Sequence, residues 1–278
     1  MKKVILFGAA GGGVRLYDKI KEKYDVVSFV DNDSKKWGRE LKGIEIENPQ
    51  KAIRELMFDF LIITSAPGLD SIKKQCLELG VSEEKIITKY IETPLESRRV
   101  FLEKLALCME NSVGECAEVG VFEGDFAKYI NLYFSNRELH LFDTFEGFDK
   151  RDVEKEGSFS DAKEGDYGNT SENIVMNKMP FPDKCIIHKG YFPETAIGID
   201  EKFCFVNLDL DLYEPTYNGL KFFSERMTKD GVILVHDYFA DNFKGPKEAV
   251  DKFVAESTKK IYKLPIGDGI SIMLIGFS

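Results

Sequence analysis

Short apolar runs alternate with amphipathic segments along the chain, and several of these runs end in glycine or an acidic residue. Such runs are typical of buried strands, whereas apolar residues at every third or fourth position are typical of helices. In the first third of the chain this pattern predicts the strands Val4–Phe7, Val26–Val30, Phe60–Thr64 and Lys85–Thr88 and the helices Val14–Glu22 and Ser71–Leu79. Ala66-Pro67-Gly68 is predicted to form the turn after the third strand.

The pattern breaks at Thr93-Pro94, where we place a domain boundary, and a helix at Leu95–Glu110 follows. The second series has the predicted strands Cys116–Val119, Glu138–Phe142, Cys185–His188, Phe203–Leu208, Val232–Val235, Ile261–Leu264 and Ile270–Ile275 and the predicted helices Phe126–Phe134, Tyr217–Arg226 and Pro246–Glu256. Because alternating strands and helices imply parallel pairing, we expect an α/β protein with two Rossmann-like domains. These are a small domain at residues 1–92 and a larger one at 93–278, with helices on both faces of its sheet.

The segment Asp149–Asn169 is charged, contains glycine and has no periodicity. It is expected to be either a solvated surface loop or a mobile cover over a pocket, and the sequence does not decide between the two.

Composition narrows the class of partner. The formal net charge is -10, and a nucleic-acid partner is not expected, because phosphate binding needs a dense basic face. No apolar run is long enough to span a bilayer, and the first apolar run resembles a strand rather than a signal peptide. The five cysteines form no CxxC pair, which predicts a reducing, cytoplasmic location without a thiolate metal site. A homo-oligomer remains open, because apolar helix faces do not distinguish a core from a dimer interface.

A glycine turn and an acid-tipped strand predict a ligand that contains adenosine. Glu118, Gly120 and Gly124 directly follow a predicted strand and precede a helix, and glycines let a ligand approach the backbone. Asp143 ends the next strand, where a carboxylate accepts hydrogen bonds from the two hydroxyls of a ribose. The acid at the turn repels phosphate but suits the cationic end of S-adenosylmethionine (SAM). The alternative is a turn that serves only the packing of strand and helix.

Two further predicted strands end in acidic residues. Asp209 follows one of them, and His236 and Asp237 follow the other. If these strands are neighbours, Asp209 and Asp237 converge at the edge of the sheet where ligands bind. Paired carboxylates suit Mg²⁺ or a similar divalent cation, and His236 is able to add a nitrogen ligand or to act as a base.

The N-terminal part has a similar arrangement. Gly8, Gly11 and Gly13 follow a strand and open a helix, and Asp31 ends the next strand, which predicts a nucleotide site. A glycine turn that only packs helix against strand is the open alternative. The runs FVDND, KWG and GIEIENP resemble the small Rossmann domain of enzymes that modify sugars of bacterial surface glycans. This resemblance implies docking of a nucleotide or nucleotide sugar.

Six runs follow one another in the second part, namely AEVGVFEGDFAKYI, LFDTFEGF, HKGYFPETA, VNLDLDLYEPT, GVILVHDY and GPKEAVDKF. In this order and spacing, over residues 112–258, they resemble the macrocin O-methyltransferase (TylF/MycF-type) family. The resemblance implies a SAM-dependent class I methyltransferase sheet and a divalent metal that assists methylation of a sugar hydroxyl. The acceptor is then a sugar or a nucleotide sugar.

The resemblance also implies roles for individual residues. Glu118, Gly120 and Gly124 form the SAM loop, Asp143 takes the ribose, and Thr144 and Phe145 line the same pocket. Gly190 and Tyr191 lie near the adenine.

By the same resemblance, Asp209 and Asp237 hold the metal, and the family has an acid where this chain has His236. The metal lowers the pKa of the acceptor hydroxyl, and Asp209 or His236 takes its proton.

Two other functions stay open at the level of sequence. One is a protein that binds a nucleotide sugar or NAD(P) and whose second domain only senses an adenosyl ligand. The other is an N- or C-methyltransferase without metal, which the histidine at position 236 suits.

Overall fold

The computed structural model describes residues 1–65 and 68–277 and divides into two compact units, Met1–Glu96 and Ser97–Ser278. Two residues of the predicted turn at Ala66-Pro67-Gly68 therefore lie outside the described residues. The predicted boundary near residue 93 falls inside a continuous helix, α4, and stays a prediction as a division between functional domains.

The first unit is built on a six-stranded sheet. Its strands are β1 (Lys2–Phe7), β2 (Tyr24–Val30), β3 (Glu40–Leu41), β4 (Ile44–Glu47), β5 (Phe60–Ile63) and β6 (Ile86–Ile87), in the order β3-β4-β2-β1-β5-β6. All neighbouring strands are parallel except β3 and β4. The helices are α1 (Gly11–Ile20), α2 (Pro49–Glu55) and α3 (Leu69–Glu78). The hairpin β3–β4 and the helix α2 lie where the sequence pattern predicted no element.

Helix α4 (Lys89–Cys108) begins before the predicted start at Leu95, and Pro94 lies inside it. The expectation that the pattern breaks at Thr93-Pro94 is therefore wrong at the level of structure. A proline inside a helix removes one N–H donor, and the burial of later residues such as Leu102 outweighs that loss.

The second unit is built on a seven-stranded sheet. Its strands are β7 (Glu115–Val119), β8 (Leu139–Asp143), β9 (Cys185–Lys189), β10 (Phe203–Leu208), β11 (Met227–Val235), β12 (Tyr262–Pro265) and β13 (Ile272–Ile275), in the order β12-β13-β11-β10-β7-β8-β9. Only β13 is antiparallel to its neighbours. The helices that follow α4 are α5 (Ala127–Tyr133), α6 (Lys150–Glu156), α7 (Glu172–Lys178), α8 (Tyr213–Ser224) and α9 (Gly245–Glu256).

Apolar residues cover both faces of this second sheet. One face packs against α8 and α9 through residues such as Phe223 and Phe253. The other packs against α4, α5 and α7 through residues such as Leu102, Ile130 and Val175. The predicted α/β class, with helices on both faces, is confirmed.

The order in which strands are added to the sheet reverses at β7. From β7 the sheet grows through β8 and β9 on one side, whereas β10 and β11 lie on the other. In open α/β sheets a crevice forms at such a reversal, outside the carboxyl ends of the strands. The fold therefore places a ligand crevice between the ends of β7 and β10, beside Glu118 and Asp209.

The segment Asp149–Asn169 begins with the helix α6, whereas residues 157–169 form neither helix nor strand and are mostly exposed. The choice between a surface loop and a cover over a pocket stays a prediction. Asp152 and Glu156 of this helix are buried although they are charged. They are tolerated inside because Tyr191 donates to Asp152 (2.7 Å) and the backbone N–H of Tyr213 donates to Glu156 (2.8 Å). In the part of the chain that the structure describes, no helix has the length and hydropathy that crossing a membrane requires.

Candidate active site at the carboxyl edge of the second sheet

The turn after β7 lies against the end of β10. Gly120 has a φ of +83°, and a Cβ there would lie 2.0 Å from the carbonyl oxygen of Asp209. Gly124 has a φ of +78°, and its Cβ would contact Val175 and Met179. Gly120 thus brings the predicted cofactor turn beside the acidic end of β10, because any side chain there would collide with backbone.

Asp143 holds this turn in place from the end of β8. Its Oδ2 accepts hydrogen bonds from the backbone N–H groups of Val121 (2.7 Å) and Phe122 (2.9 Å), and its Oδ1 accepts one from Phe145 (2.7 Å). A carboxylate has about four acceptor positions, so these three bonds leave one for a ligand hydroxyl. The predicted ribose role of Asp143 stays a prediction, and the structure adds a second role in shaping the turn.

The remaining predicted cofactor residues surround the ends of β8 and β9. The hydroxyl of Thr144 donates to the carbonyl of Gly147 (2.7 Å), and the side chain of Phe145 is buried. The N–H of Gly190 donates to the carbonyl of Asp143 (2.9 Å). The guanidinium of Arg151 lies 3.5 Å from the ring centre of Tyr191, whose hydroxyl is bound to Asp152. The structure therefore brings these positions to one corner of the sheet.

A buried polar network joins the cofactor turn to the acidic strand ends. Asn207 Nδ2 donates to Glu118 Oε1 (2.7 Å), and Arg98 Nη2 donates to Asn207 Oδ1 (3.0 Å) and to Asp209 Oδ2 (3.1 Å). The guanidinium of Arg98 also lies over the ring of Phe126, 3.8 Å from its centre. Since Arg98 and Glu118 are both buried, the network fixes Asp209 relative to the turn.

Glu118 is the unusual member of this network. Its side chain is buried, with the residue 2 % exposed, and its Oε2 has no hydrogen-bond partner among the described residues. Burial and, after it, the charge of Asp209 raise the pKa of Glu118 to about 8. A cation that binds beside this oxygen would form an ion pair with the carboxyl and stabilise its ionised form.

Asp209, His236 and Asp237 meet because β10 and β11 are neighbours, with Leu208 paired to Val235. One potential ligand atom of each residue lies within 4.8 Å of the other two. His236 Nδ1 lies 3.0 Å from Asp209 Oδ1 and 2.7 Å from Asp237 Oδ2. The imidazole nitrogen thus lies between two carboxylates.

The protonation of this cluster follows from its charges. Burial alone lowers the pKa of His236, but the carboxylates of Asp209 and Asp237 outweigh it and raise that pKa to about 10. Against its own burial, the charges of His236 and Arg98 hold the pKa of Asp209 well below its usual range. The pKa of Asp211 is raised far above its usual range, first by burial and then by Asp237, with which it shares a hydrogen bond. The positive charges of Arg98 and His236 therefore stabilise the carboxylates of the cluster in their ionised form.

Arg98, Asn207 and Asp211 were not predicted as site residues. Arg98 comes from α4, more than a hundred positions before Asp209 in the chain. Its signal in the sequence is a basic residue on the apolar stripe of a helix, four positions before the buried Leu102. Asp211 belongs to the same acidic run as Asp209, and its hydrogen bond with Asp237 brings it into this cluster.

Backbone strain is concentrated at this edge of the sheet. Among the described residues, six non-glycine residues have φ values between +50° and +64°. One is Lys42 in the first unit, and the other five lie at this edge, namely Phe122, Phe145, Tyr167, Asp211 and Asp237. Such conformations are uncommon for side-chain-bearing residues and cluster at functional sites. They support the interpretation of the crevice as the active site.

The glycine turn of the first unit is closely packed. A Cβ at Gly8 would lie 2.4 Å from the hydroxyl of Thr64, and one at Gly13 would lie 2.1 Å from the carbonyl of Gly8. Gly11 begins α1, three residues before the predicted start. Asp31 accepts hydrogen bonds from the N–H groups of Ala9 and Asp33 and from Lys36, each 2.9 Å long. These contacts explain the glycines by packing, and the predicted nucleotide site stays a prediction.

Two solved structures are similar to this chain in fold. The O-methyltransferase NovP is 20% identical over 65% of this chain and 79% of its own, with a TM-score of 0.53. The calicheamicin methyltransferase CalS11 is 17% identical over 81% of this chain and 88% of its own, with a TM-score of 0.52. The likeness confirms the predicted class I methyltransferase fold of the second sheet.

Family models match both parts of the chain. Residues 1–87 match the model described as C2185-like, N-terminal, and residues 100–264 match that of the macrocin-O-methyltransferase (TylF) family. No curated protein matches the chain significantly. The second match spans more than half of the chain and confirms the resemblance that its sequence runs indicated. The chain therefore belongs to the macrocin O-methyltransferase (TylF) family and is an O-methyltransferase.

Proposed function

We propose that this enzyme transfers the methyl group of SAM to a hydroxyl of a sugar, carried by a glycan or nucleotide-sugar precursor, with the help of a divalent cation. The observation that carries the proposal is the network from Glu118 through Asn207 and Arg98 to Asp209. It links a turn suited to a cationic cofactor with a cluster suited to a reacting hydroxyl.

The residues at the turn fit SAM in three respects. The free Oε2 of buried Glu118 offers a partner to the ammonium or sulfonium of SAM. Asp143 has one acceptor position left for a ribose hydroxyl, and Gly120 keeps the turn free of a side chain at its closest approach to β10. Gly190 and Tyr191 lie next to Asp143, at the end where the adenine would lie. A cationic group beside Glu118 stabilises its ionised form, whereas a pyrophosphate there would gain nothing from this carboxyl, which argues for SAM rather than NAD(P).

The donor set fits a divalent cation. Asp209 and Asp237 offer carboxylate oxygens, and His236 offers an imidazole nitrogen, all within 4.8 Å of one another. Oxygen donors suit Mg²⁺, and the nitrogen donor extends the choice towards Mn²⁺ and other first-row metals. When bound, such a cation acts as a Lewis acid that lowers the pKa of the acceptor hydroxyl.

The chain's own residues position the acceptor and receive its proton. In the transfer an oxygen–carbon bond forms, the sulfur–carbon bond breaks, and the hydroxyl proton leaves. Asp209 stays ionised because Arg98 and His236 hold its pKa down, so its carboxylate is a weak base that orients the acceptor by accepting a hydrogen bond from the hydroxyl. The proton released in the transfer passes to water or to neutral His236. His236 is protonated in the arrangement described here and acts as a donor, until a cation bound to the carboxylates lowers its pKa.

The test measures transfer of a labelled methyl group from SAM to a panel of UDP-, GDP- and dTDP-hexoses, with Mg²⁺, with Mn²⁺ and with EDTA. We expect at least one hexose to be methylated, with the rate falling at least about a hundredfold in EDTA or in Asp209→Asn. Asp18→Asn is the matched control, because Asp18 is a carboxylate paired with Lys21 and Lys42 in the first unit.

Two results would contradict parts of the proposal. Undiminished activity in EDTA would show that the reaction needs no metal. Arg98 and His236 would then be the cations that stabilise the reacting groups. SAM binding without methylation of any hexose would show that the acceptor is not a sugar.

A further inference from the structure

A segment between α6 and α7 is fixed against the crevice and carries Tyr167. The N–H of Gly165 donates to the carbonyl of Phe148, and the N–H of Phe148 donates to that of Asp166, both at 3.0 Å. A Cβ at Gly147 would lie 2.4 Å from the carbonyl of Asp166, so the two stretches of backbone are in close contact. The hydroxyl of Thr170 donates to the carbonyl of Phe122 and ties the segment to the cofactor turn as well.

Tyr167 belongs to a surface of four aromatic rings. Its ring packs edge-on against Phe122 (5.5 Å between centres) and against Phe148 (5.3 Å), and Phe148 in turn packs against Phe243 (6.2 Å). The three phenylalanines are half-buried, whereas Tyr167 is 43% exposed. We call these four residues the aromatic platform. They come from separate segments of the chain, so only the folded protein presents them together.

The aromatic platform lies between the cofactor turn and the carboxylate cluster. Phe122 is in the turn whose N–H groups Asp143 holds. A Cβ at Gly120 of the same turn would lie 2.0 Å from the carbonyl oxygen of Asp209, so the aromatic platform also borders the carboxylate cluster. In agreement with this, partial burial and then the acidic residues of the cluster raise the pKa of Tyr167. A hydroxyl that reacts with a methyl group from the cofactor must lie between these same two features, next to Tyr167.

The charges beside the aromatic platform restrict what binds there. The cations Arg98 and His236 already pair with Asp209 and Asp237, so they are not free to bind a phosphate of the acceptor. An uncharged ring that exposes C–H groups on one face and hydroxyls at its rim suits both neighbours. Its C–H face packs on the aromatic rings, and a hydroxyl reaches the carboxylates.

We propose that the aromatic platform of Phe122, Phe148, Tyr167 and Phe243 is the acceptor subsite, which binds the C–H face of a pyranose ring and turns one hydroxyl towards Asp209. This inference rests on the proposed function and adds the place and orientation of the acceptor. Any phosphate attached to the sugar points away from the acidic cluster. Tyr167 supplies the most exposed ring and is the determinant of acceptor binding.

The test uses the full chain with the hexose panel and compares three variants. Tyr167→Leu removes the ring, Tyr167→Phe removes only the hydroxyl, and Tyr262→Leu removes a similarly exposed ring (47%) from the distant strand β12. We expect Tyr167→Leu to raise the KM for the hexose at least about tenfold, with an unchanged Kd for SAM. Tyr262→Leu is expected to leave both constants within about threefold of the parent value. Tyr167→Phe keeps the ring and is expected to raise the KM for the hexose less than Tyr167→Leu does.

Three other results would each overturn a defined part of the proposal. If SAM binds and a hexose is methylated, but Tyr167→Leu keeps the parental KM, the platform is wrong and the proposed function stands. If Tyr167→Phe lowers kcat at constant KM, Tyr167 acts through its hydroxyl and not as a platform. If SAM binds but no hexose is methylated, the sugar acceptor and the platform both fail. Circular dichroism of each variant separates these results from loss of fold, and Phe243→Leu provides a second test of the platform by the same KM.

Discussion

Replacing Glu118 by glutamine removes a carboxyl whose protonation is set by its surroundings. In the ligand-free protein, burial and Asp209 raise the pKa of Glu118 to about 8, and its Oε2 has no partner among the described residues. A cationic group of SAM placed beside this oxygen favours the ionised form. We therefore expect SAM binding to release the proton of Glu118.

The magnitude follows from the position of the pKa. At pH 7, about one unit below this pKa, roughly nine-tenths of Glu118 is protonated, so binding releases about 0.9 proton. Ionising the group at that pH costs about 1.4 kcal/mol, which corresponds to tenfold in affinity. Because SAM prefers the ionised form, its affinity rises about tenfold per pH unit below pH 8.

The assay is isothermal titration calorimetry with SAM in buffers of different ionisation enthalpy. The slope of the observed enthalpy against the buffer enthalpy gives the number of protons released. Glu118→Gln is the reference, since it is nearly isosteric and retains the group that accepts from Asn207. It also subtracts protons exchanged by the α-amino group of SAM itself, which titrates near pH 8.

Equal proton release in Glu118→Gln and the parent would refute the reasoning, because the titrating group would then lie elsewhere. Retained affinity in the variant at pH 9, where Glu118 is ionised before binding, would show that its charge contributes nothing to SAM binding. S-adenosylhomocysteine, which lacks the sulfonium charge, separates the two ends of SAM. Unchanged proton release with this ligand would assign the contact to the α-ammonium.

Three further predictions concern stability. Arg98→Met leaves the half-buried Asp209 without its guanidinium and is expected to lower the free energy of unfolding by about 3 kcal/mol in urea denaturation. Adding Asp209→Asn should recover at least half of this loss, and additive losses in the double variant would contradict the pairing. Gly120→Ala should lower the free energy of unfolding by at least about 3 kcal/mol, because its Cβ would collide with backbone. Gly157→Ala should lower it by about 1 kcal/mol, since Gly157 has a positive φ but open space around it, and equal losses by the same method would count against the close approach at Gly120. Burial raises the pKa of Asp152 to about 6, so the folded state binds its proton more tightly than the unfolded state and stability is lost as pH rises from about 4 to 6. The melting temperature of Asp152→Asn should therefore rise relative to that of the parent across this range. A constant difference in melting temperature would be evidence against the shift.

Much of the second unit was predictable because its signals are local. Strand β10 has the predicted bounds, Phe203–Leu208, since a continuous apolar run bounded by polar residues is typical of a strand buried on both faces. The turn at Gly120 and the acid at Asp143 follow from their places at strand ends. Errors occurred where tertiary contacts outweigh local pattern, as in α4, which continues through Pro94, and in α6, whose Asp152 and Glu156 are buried.

The active-site residues divide in the same way. The sequence by itself determined that carboxylates stand at the ends of several strands, because apolar periodicity and glycines depend on neighbouring residues only. The tertiary structure decided that β10 and β11 are neighbours, which brings Asp209, His236 and Asp237 within reach of one cation. It also decided that Arg98 pairs with Asp209 and that Glu118 is buried. Burial and long-range charge set the protonation of these groups, and both arise only when distant segments pack together.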